Sequence, residues 1–101
     1  MEQRANLSGL YTADSMLTYE GEQFAGVESI MEKLSGLPNI AHQNIMADYQ
    51  PTVGNGIVAF VTGALSIDGG PGMNFTQVFL LAPGGTNGYY VHNDIFRLSL
   101  G

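Results

Sequence analysis

The spacing of apolar residues changes once along the chain, near Pro38. Between residues 27 and 37, apolar side chains recur every three or four positions, which places them on one stripe of a helix. The members of this stripe are Val27, Ile30, Met31 and Leu34. Gly36 and Pro38 are residues that end helices, so the pattern predicts a helix over 27–37.

After Pro38, apolar and polar residues alternate, as they do in strands with one buried face. Four such stretches are separated by turn residues: 40–49, 57–67, 73–81 and 89–100. The sequence DGGPG at 68–72 lies between two of them and is typical of a hairpin turn. The pattern therefore predicts an α+β fold, in which a helix precedes an antiparallel meander of four strands.

The residues ahead of the helix give shorter patterns. Residues 2–11 suit a short polar helix, and residues 15–20 and 22–24 suit short strands on either side of a turn at Gly21. A long curved sheet with helical material on one side forms a cone with a cavity, and we expect one such domain over residues 1–101. The other face of the sheet needs a second cover, and dimerisation is the simplest one.

Composition and charge restrict the partners of this domain. Of its 101 residues, 45% are apolar and 12% are charged, which is the composition of a folded globular protein. Three basic residues stand against nine acidic ones, the net charge is −6, and no basic cluster is present to bind phosphates. Nucleic acid and anionic membranes are therefore disfavoured as direct ligands, while a basic protein partner is weakly favoured.

The sequence predicts neither a metal site nor a cofactor site. It has no cysteine, and its two histidines, His42 and His92, lie in no cluster with ligand spacing. The glycines at 69, 70 and 72 and at 84, 85 and 88 lie between predicted strands, and no Gly-rich phosphate loop precedes a helix. No apolar stretch has the length of a membrane span, and the N-terminus lacks the apolar region of a signal peptide. We therefore expect a soluble intracellular protein.

Five segments of the chain together resemble the nuclear transport factor 2 family. They are LTYEGEQFAGVESIMEKLSGLP at 17–38, HQNI at 42–45, DYQPT at 48–52, GALSIDGGPGMNFTQVFLL at 63–81 and NDIFRLSL at 93–100. No single segment carries much chemistry, but their order and spacing are specific, and the likeness covers nearly the whole chain from about Arg4. The family usually has Trp where this chain has Tyr19.

The resemblance implies both a fold and a function. The fold is the cystatin-like cone of the family, and the function is transport by a non-enzymatic homodimer. This carrier binds the GTPase Ran in its GDP form and the FxFG repeats of nuclear-pore proteins, and it works in the cytoplasm and nucleus, at the pore.

The family normally begins with a long amphipathic helix, and Met1 lies beyond the expected end of this helix. An aromatic residue on that helix helps to bind the repeats, so the resemblance supports repeat binding less than Ran binding.

The resemblance also assigns a Ran site. It places Glu20 and Asp68 on an acidic rim that pairs with basic residues of Ran, around a pocket for an aromatic side chain of Ran. The expected pocket lining is Tyr19, Leu37, Ile40, Met73 and Phe96, of which we favour Tyr19 and Phe96 as walls and the others as core. The family has a second acid two residues after Asp68, where this chain has Gly70. The alternative from the residues alone is that both acids are ordinary turn residues.

His42 and Asp94 are the most enzyme-like residues in the sequence, because both can face the inside of the cone and meet across the sheet. Enzymes of this fold, such as ketosteroid isomerase and scytalone dehydratase, use Asp, His or Tyr in the same cavity, so a small isomerase or dehydratase is one alternative. The interpretation we favour is a hydrogen-bonded, buried polar pair. An adaptor domain that binds Phe-containing peptides is a further alternative.

The opposite side of the predicted strands is also apolar. Phe60, Val78 and Ile95 alternate out of the cone, and an apolar outer face is a liability for a monomer. In the family this face is the dimer interface, and we carry that role over to these three residues. The alternative is that they are scattered surface hydrophobic residues.

Overall fold

The computed structural model describes residues 9–38, 40–84 and 88–99, which form one α-helix and a sheet of six strands. The strands are β1 (Met16–Tyr19), β2 (Glu22–Ala25), β3 (Ile40–Thr52), β4 (Gly56–Ile67), β5 (Met73–Pro83) and β6 (Tyr89–Ser99). Helix α1 (Val27–Ser35) lies between β2 and β3 in the chain, and a 3₁₀ turn, Val53–Asn55, joins β3 to β4.

The order of the strands in the sheet is β2-β1-β6-β5-β4-β3. Strands β3 to β6 form the predicted antiparallel meander, each beside its predecessor. Strand β1 lies antiparallel to β2 and parallel to β6, so the sheet has two strands more than the predicted meander. The helix and the curved antiparallel meander confirm the predicted α+β cone. The pattern of residues 15–24 predicted the two short strands but not their place, because a parallel pair joins segments from distant parts of the chain.

The ends of the elements differ slightly from the predicted ones. Helix α1 ends at Ser35, two residues before the predicted end, because its last turn tightens. There the N–H groups of Gly36 and Leu37 donate to carbonyls three residues back, at 3.2 and 3.3 Å, which is the hydrogen bonding of a 3₁₀ turn. The predicted helix at 2–11 lies outside the described residues except for its end. Within the described part of the chain, no helix has the length and apolar character to cross a membrane.

Two groups of buried apolar side chains hold α1 and the inner face of the sheet together. The first consists of Tyr11, Leu17, Ile30 and Val91. The second consists of Leu65, Phe75 and Phe96, on the inner face of β4, β5 and β6. Ile30 is fully buried because it is the central residue of the apolar stripe of α1. Tyr19 packs against both groups, so the apolar inner face continues from the helix to the middle of the sheet.

Candidate functional site

A small cavity of about 90 Å³ lies between α1 and the inner face of the sheet. Its lining consists of Leu17, Tyr19, Leu34, Leu37, Ile40, His42, Leu65, Gln77, Asp94 and Phe96. Four of the five predicted pocket residues are among them. The exception is Met73, which packs against the buried group of Leu65, Phe75 and Phe96 and is not part of the lining.

Aromatic side chains form one wall of this cavity. Tyr19 stacks on Phe96 with ring centroids 4.7 Å apart, and Phe96 in turn stacks on Phe75 at 5.6 Å. His42 meets Phe75 edge-on at 5.7 Å. The ammonium group of Lys33, on α1, lies 5.0 Å from the ring centre of Tyr19, within the range of a cation–π contact. Tyr19 and Phe96 therefore form a wall of the cavity. Their positions are stabilised by stacking with each other and by the contact of Lys33 with Tyr19.

The inner end of the cavity contains a buried carboxyl group. Asp94 is 2% exposed, and each of its oxygens accepts a hydrogen bond. The hydroxyl of Tyr11 donates to Oδ2 at 2.8 Å, and Nε2 of Gln77 donates to Oδ1 at 2.7 Å. Burial raises the pKa of Asp94, while the two donors partly oppose this rise. Burial and the neighbouring Asp94 also raise the pKa of the Tyr11 hydroxyl.

The predicted buried pair of His42 and Asp94 is wrong. The hydrogen-bond partners of Asp94 are Tyr11 and Gln77, and His42 is an exposed residue at the outer part of the cavity lining. Partial burial lowers the pKa of its imidazole. Sequence reasoning missed both true partners. Gln77 gave a signal, because it is a polar residue among the inner-facing positions of its strand, where Met73, Phe75 and Phe79 are apolar.

Tyr11 lies before β1, and a short loop holds it against Asp94. Ser15, which is 1% exposed, accepts a hydrogen bond from the N–H of Thr12 at 2.8 Å and donates to the carbonyl of Val91 in β6 at 2.5 Å. These bonds fix the loop to the strand that carries Asp94. The chain pattern contained no sign of this contact, because it depends on the parallel pairing of β1 with β6.

The two predicted rim acids lie at the same edge of the sheet. Strands β1, β4 and β6 run in one direction, so their carboxyl ends lie together, beside the amino ends of β3 and β5. Glu20 directly follows β1 and Asp68 directly follows β4. The cavity residues Tyr19, Ile40 and Phe96 lie near the same ends of their strands.

Turn geometry keeps both acids exposed at this edge. Glu20 and Gly21 have φ values of 53° and 87°, and Asp68 and Gly69 have 52° and 77°. Two successive residues with positive φ define a type I′ turn, which matches the twist of a hairpin. A carboxyl oxygen of Glu20 also accepts a hydrogen bond from the N–H of Leu98, which holds the side chain beside the end of β6.

The outer face of the sheet carries the predicted interface residues in one row. Phe60 lies opposite Val78, and Val78 lies opposite Ile95, on three adjacent strands. Phe60 is 46% exposed and Ile95 is 48% exposed, which is high for large apolar side chains. The three residues therefore form a contiguous apolar strip on the surface of the chain.

A wider depression of about 540 Å³ lies at the start of α1. It is shallow and open, and its lining includes Ala13, Gly26, Glu28 and Glu32. The smaller cavity is the better candidate site, because aromatic walls, a buried carboxyl group and an acidic edge meet there.

The cavity thus combines an aromatic wall with a carboxyl group that has a hydrogen-bond donor on each oxygen. Comparison with known proteins assigns the class of protein. Residues 1–98 match the family model "Nuclear transport factor 2 (NTF2) domain". The chain therefore belongs to the nuclear transport factor 2 family, and its general function is that of a non-enzymatic nuclear transport factor.

Individual relatives show the extent of the likeness. Nuclear transport factor 2 of Candida glabrata is 47% identical over 100 residues, which cover 95% of this chain and 79% of that protein. Nuclear transport factor 2 of Emericella nidulans is 46% identical over 99 residues, covering 94% of this chain and 79% of that protein. The solved structure of nuclear transport factor 2 from Cryptosporidium parvum has a TM-score of 0.87 and 42% identity, over 95% of this chain and 79% of that one.

Proposed function

We propose that this chain binds the GTPase Ran in its GDP form and carries it into the nucleus. The observation that supports this most is the position of the acidic edge beside an aromatic cavity. In the proposed complex an aromatic side chain of a Ran loop enters the cavity, and basic residues of that loop pair with Glu20 and Asp68.

The cavity suits one aromatic side chain. Its volume of about 90 Å³ is well below the roughly 300–1,000 Å³ of pockets for whole small-molecule ligands, which favours a single side chain as the occupant. Tyr19 and Phe96 offer stacked faces against which another ring can pack. Burial of one aromatic side chain contributes roughly 1.5–3 kcal/mol. Tyr19 in place of the family's Trp keeps a flat wall and removes some contact area.

The acids add orientation and a faster encounter more than raw affinity. The hydrogen bond from Leu98 holds Glu20 in position before a partner arrives, so less side-chain entropy is lost on binding. Exposed ion pairs contribute about 0–1 kcal/mol each. With Gly70 at the place of the family's second acid, we expect one ion pair fewer at the rim.

The nucleotide selectivity follows from the loop that the cavity receives. The loop is the switch II segment of Ran, which changes conformation with the nucleotide, so the cavity distinguishes GDP from GTP without touching either. We further propose that the transport factor is a homodimer joined through Phe60, Val78 and Ile95, and that it binds FxFG repeats during passage through the nuclear pore.

The test is a binding assay of the purified chain with Ran loaded with GDP or with a GTP analogue. We expect binding to the GDP form alone, and loss of this binding in the variant Glu20→Lys. The matched control is Asp14→Lys, which makes the same charge change at an exposed residue ahead of β1, at the opposite edge of the sheet.

Each result of this assay has a definite meaning. Equal binding to both nucleotide forms, or undiminished binding by a folded Glu20→Lys variant, would contradict the proposal. If the wild-type chain binds neither form but binds an FxFG peptide, a peptide-binding adaptor domain replaces the carrier as the better interpretation. Circular dichroism of each variant confirms that the fold is retained.

A further inference from the structure

The outer face of the sheet carries two charges of opposite sign. Four strand residues in the described part of the chain are Asp, Glu, Lys or Arg: Glu22, Asp48, Asp94 and Arg97. Asp94 faces the cavity, and Glu22 pairs in register with Tyr19, another cavity residue. Asp48 and Arg97 occupy strand positions on the outer face of the sheet, the face that carries the apolar strip.

Asp48 and Arg97 frame the apolar strip. Asp48 lies opposite Phe60 and so extends the row of Phe60, Val78 and Ile95 by one strand, into β3. Arg97 lies on β6 opposite Thr76, one row away on the same face. The apolar strip thus has an acid at one end and a base near the other.

Neither charge has a partner within the described part of the chain. Both residues are exposed, and neither forms a hydrogen bond or an ion pair with residues 9–38, 40–84 or 88–99. The guanidinium group of Arg97 lies 3.8 Å from where a Cβ on Gly21 would stand, beside the β1–β2 turn. Three strand spacings separate β3 from β6, roughly 14 Å, so the two charges do not meet within one chain.

A two-fold axis brings these charges together between chains. In a symmetric dimer each contact occurs twice, with residues i and j exchanged. If the axis lies between the two outer faces, crosses the line from Asp48 to Arg97 at its midpoint and is perpendicular to that line, each of these residues lies over the other on the second copy. That midpoint falls between β4 and β5, the strands that carry Phe60 and Val78. The placement that pairs the charges is therefore also the one that packs the apolar strip upon itself.

We propose that Asp48 of each copy pairs with Arg97 of the other, and that these two pairs set the register of the dimer. The inference rests on the dimer of the proposed function and adds its geometry. The apolar strip supplies affinity in many registers, whereas the charges select one, because a shift that faces acid with acid is repulsive. The pairs also oppose the general repulsion between two chains that each carry a net charge of −6.

The experiment measures the dimer dissociation constant by analytical ultracentrifugation for wild type, Asp48→Arg and Arg97→Asp. Each single reversal places like charges together twice, and we expect it to weaken the homodimer by at least about tenfold. When the two single variants are mixed, both contacts in the mixed dimer again join opposite charges. We expect the mixture to recover the wild-type dissociation constant to within about threefold, as does the double variant in one chain.

A matched control uses an exposed acid on the helix. Glu28→Arg makes the same charge change as Asp48→Arg but lies on α1, away from the outer face, so it neither weakens its own dimer nor rescues Arg97→Asp. Where a single variant is insoluble alone, co-expression of Asp48→Arg with Arg97→Asp still tests the mixed dimer.

The outcomes separate this proposal from the one above. If the wild-type chain dimerises and neither charge reversal weakens the dimer, the charge pairing is overturned and the dimer is not. The same conclusion follows if the mixture of the two variants does not recover the wild-type dissociation constant. A wild-type chain that stays monomeric at about 100 μM, a concentration at which specific dimers form, overturns the dimer as well. Ran binding is measured separately, since the cavity lies on the other face of the sheet; its absence in a charge-paired dimer would contradict only the transport proposal.

Discussion

The inner and outer faces of the sheet consist of alternate residues of the same strands, yet they serve different purposes. The inner face curves around α1, so its large residues contact one another and enclose a cavity with a hydrogen-bonded carboxyl group. Nothing in the described part of the chain covers the outer strip of Phe60, Val78 and Ile95. A concave face can hold one side chain of a partner, whereas the outer face can bury its apolar area only against another surface. Similar residues therefore stabilise the monomer on one side and are available for association on the other.

The largest contrast is expected between Phe96→Ala and Phe60→Ala. Phe96 is 6% exposed and lies in the aromatic stack, so its removal leaves a cavity and should lower the free energy of unfolding by about 3–5 kcal/mol. Phe60 is half-exposed, so at concentrations where the chain is monomeric its loss should cost about 1 kcal/mol or less. Urea denaturation of dilute samples measures both. Similar losses for the two variants would remove the distinction between the faces.

The second prediction concerns the hydroxyl of Tyr11 at the inner end of the cavity. Tyr11→Phe removes one of the two donors to Asp94 and leaves a buried carboxyl oxygen without that bond. We expect a loss of about 1–3 kcal/mol in the free energy of unfolding. The pKa of Asp94 should rise further, because the hydrogen bond that the substitution removes stabilises the charged form of the carboxyl group. Tyr90→Phe is the matched control, since the hydrogen bond that the structure gives for the Tyr90 hydroxyl, within the described residues, is to the ring nitrogen of His92 at 3.3 Å. Equal effects of the two variants would show that the bond to Asp94 contributes nothing.

The third prediction is a pH dependence. Burial raises the pKa of Asp94 in the folded chain above its ordinary value of 3.8, so over the interval between these two values the folded chain binds more protons than the unfolded chain. The free energy of unfolding should therefore fall as the pH rises through this interval and then level off. Asp94→Asn lacks this contribution. Denaturation of wild type and variant between about pH 3.5 and pH 7 isolates the difference, and parallel curves would exclude a shifted Asp94.

The smallest effect is expected at the rim, from Gly70→Asp, which restores the acid usual in the family. Binding of Ran-GDP should strengthen by up to about 1 kcal/mol, the value of an exposed ion pair. A Cβ at Gly70 would lie 3.0 Å from the carbonyl oxygen of Ile67, so the turn must widen and a small loss of stability should accompany the gain. Gly72→Asp adds the same charge where a Cβ meets nothing within 4 Å, and it serves as the control. Equal gains from both variants would indicate a general effect of charge.

Much of the fold followed from local patterns, and the site followed only in part. The stripe of Val27, Ile30 and Leu34 predicted α1, and alternation predicted the meander, because both are properties of neighbouring residues. The family resemblance led to four of the ten residues that line the cavity. It did not lead to the partners of Asp94, and the pairing with His42 was wrong. The partners of a buried carboxyl group depend on distances across the sheet. A linear pattern of residues does not contain these distances.

The sequence by itself determined the class of fold, the family and the two apolar faces of the sheet, because periodicity and motif order are written along the chain. Only the tertiary structure decided that β1 pairs in parallel with β6. That pairing brings the loop with Tyr11 to Asp94 and places Glu20 at the same edge as Asp68. The tertiary structure also placed Asp48 and Arg97 on one face without a partner in the described part of the chain. The physical reason is that these relations join distant segments, and their geometry is fixed only when the strands pack beside one another.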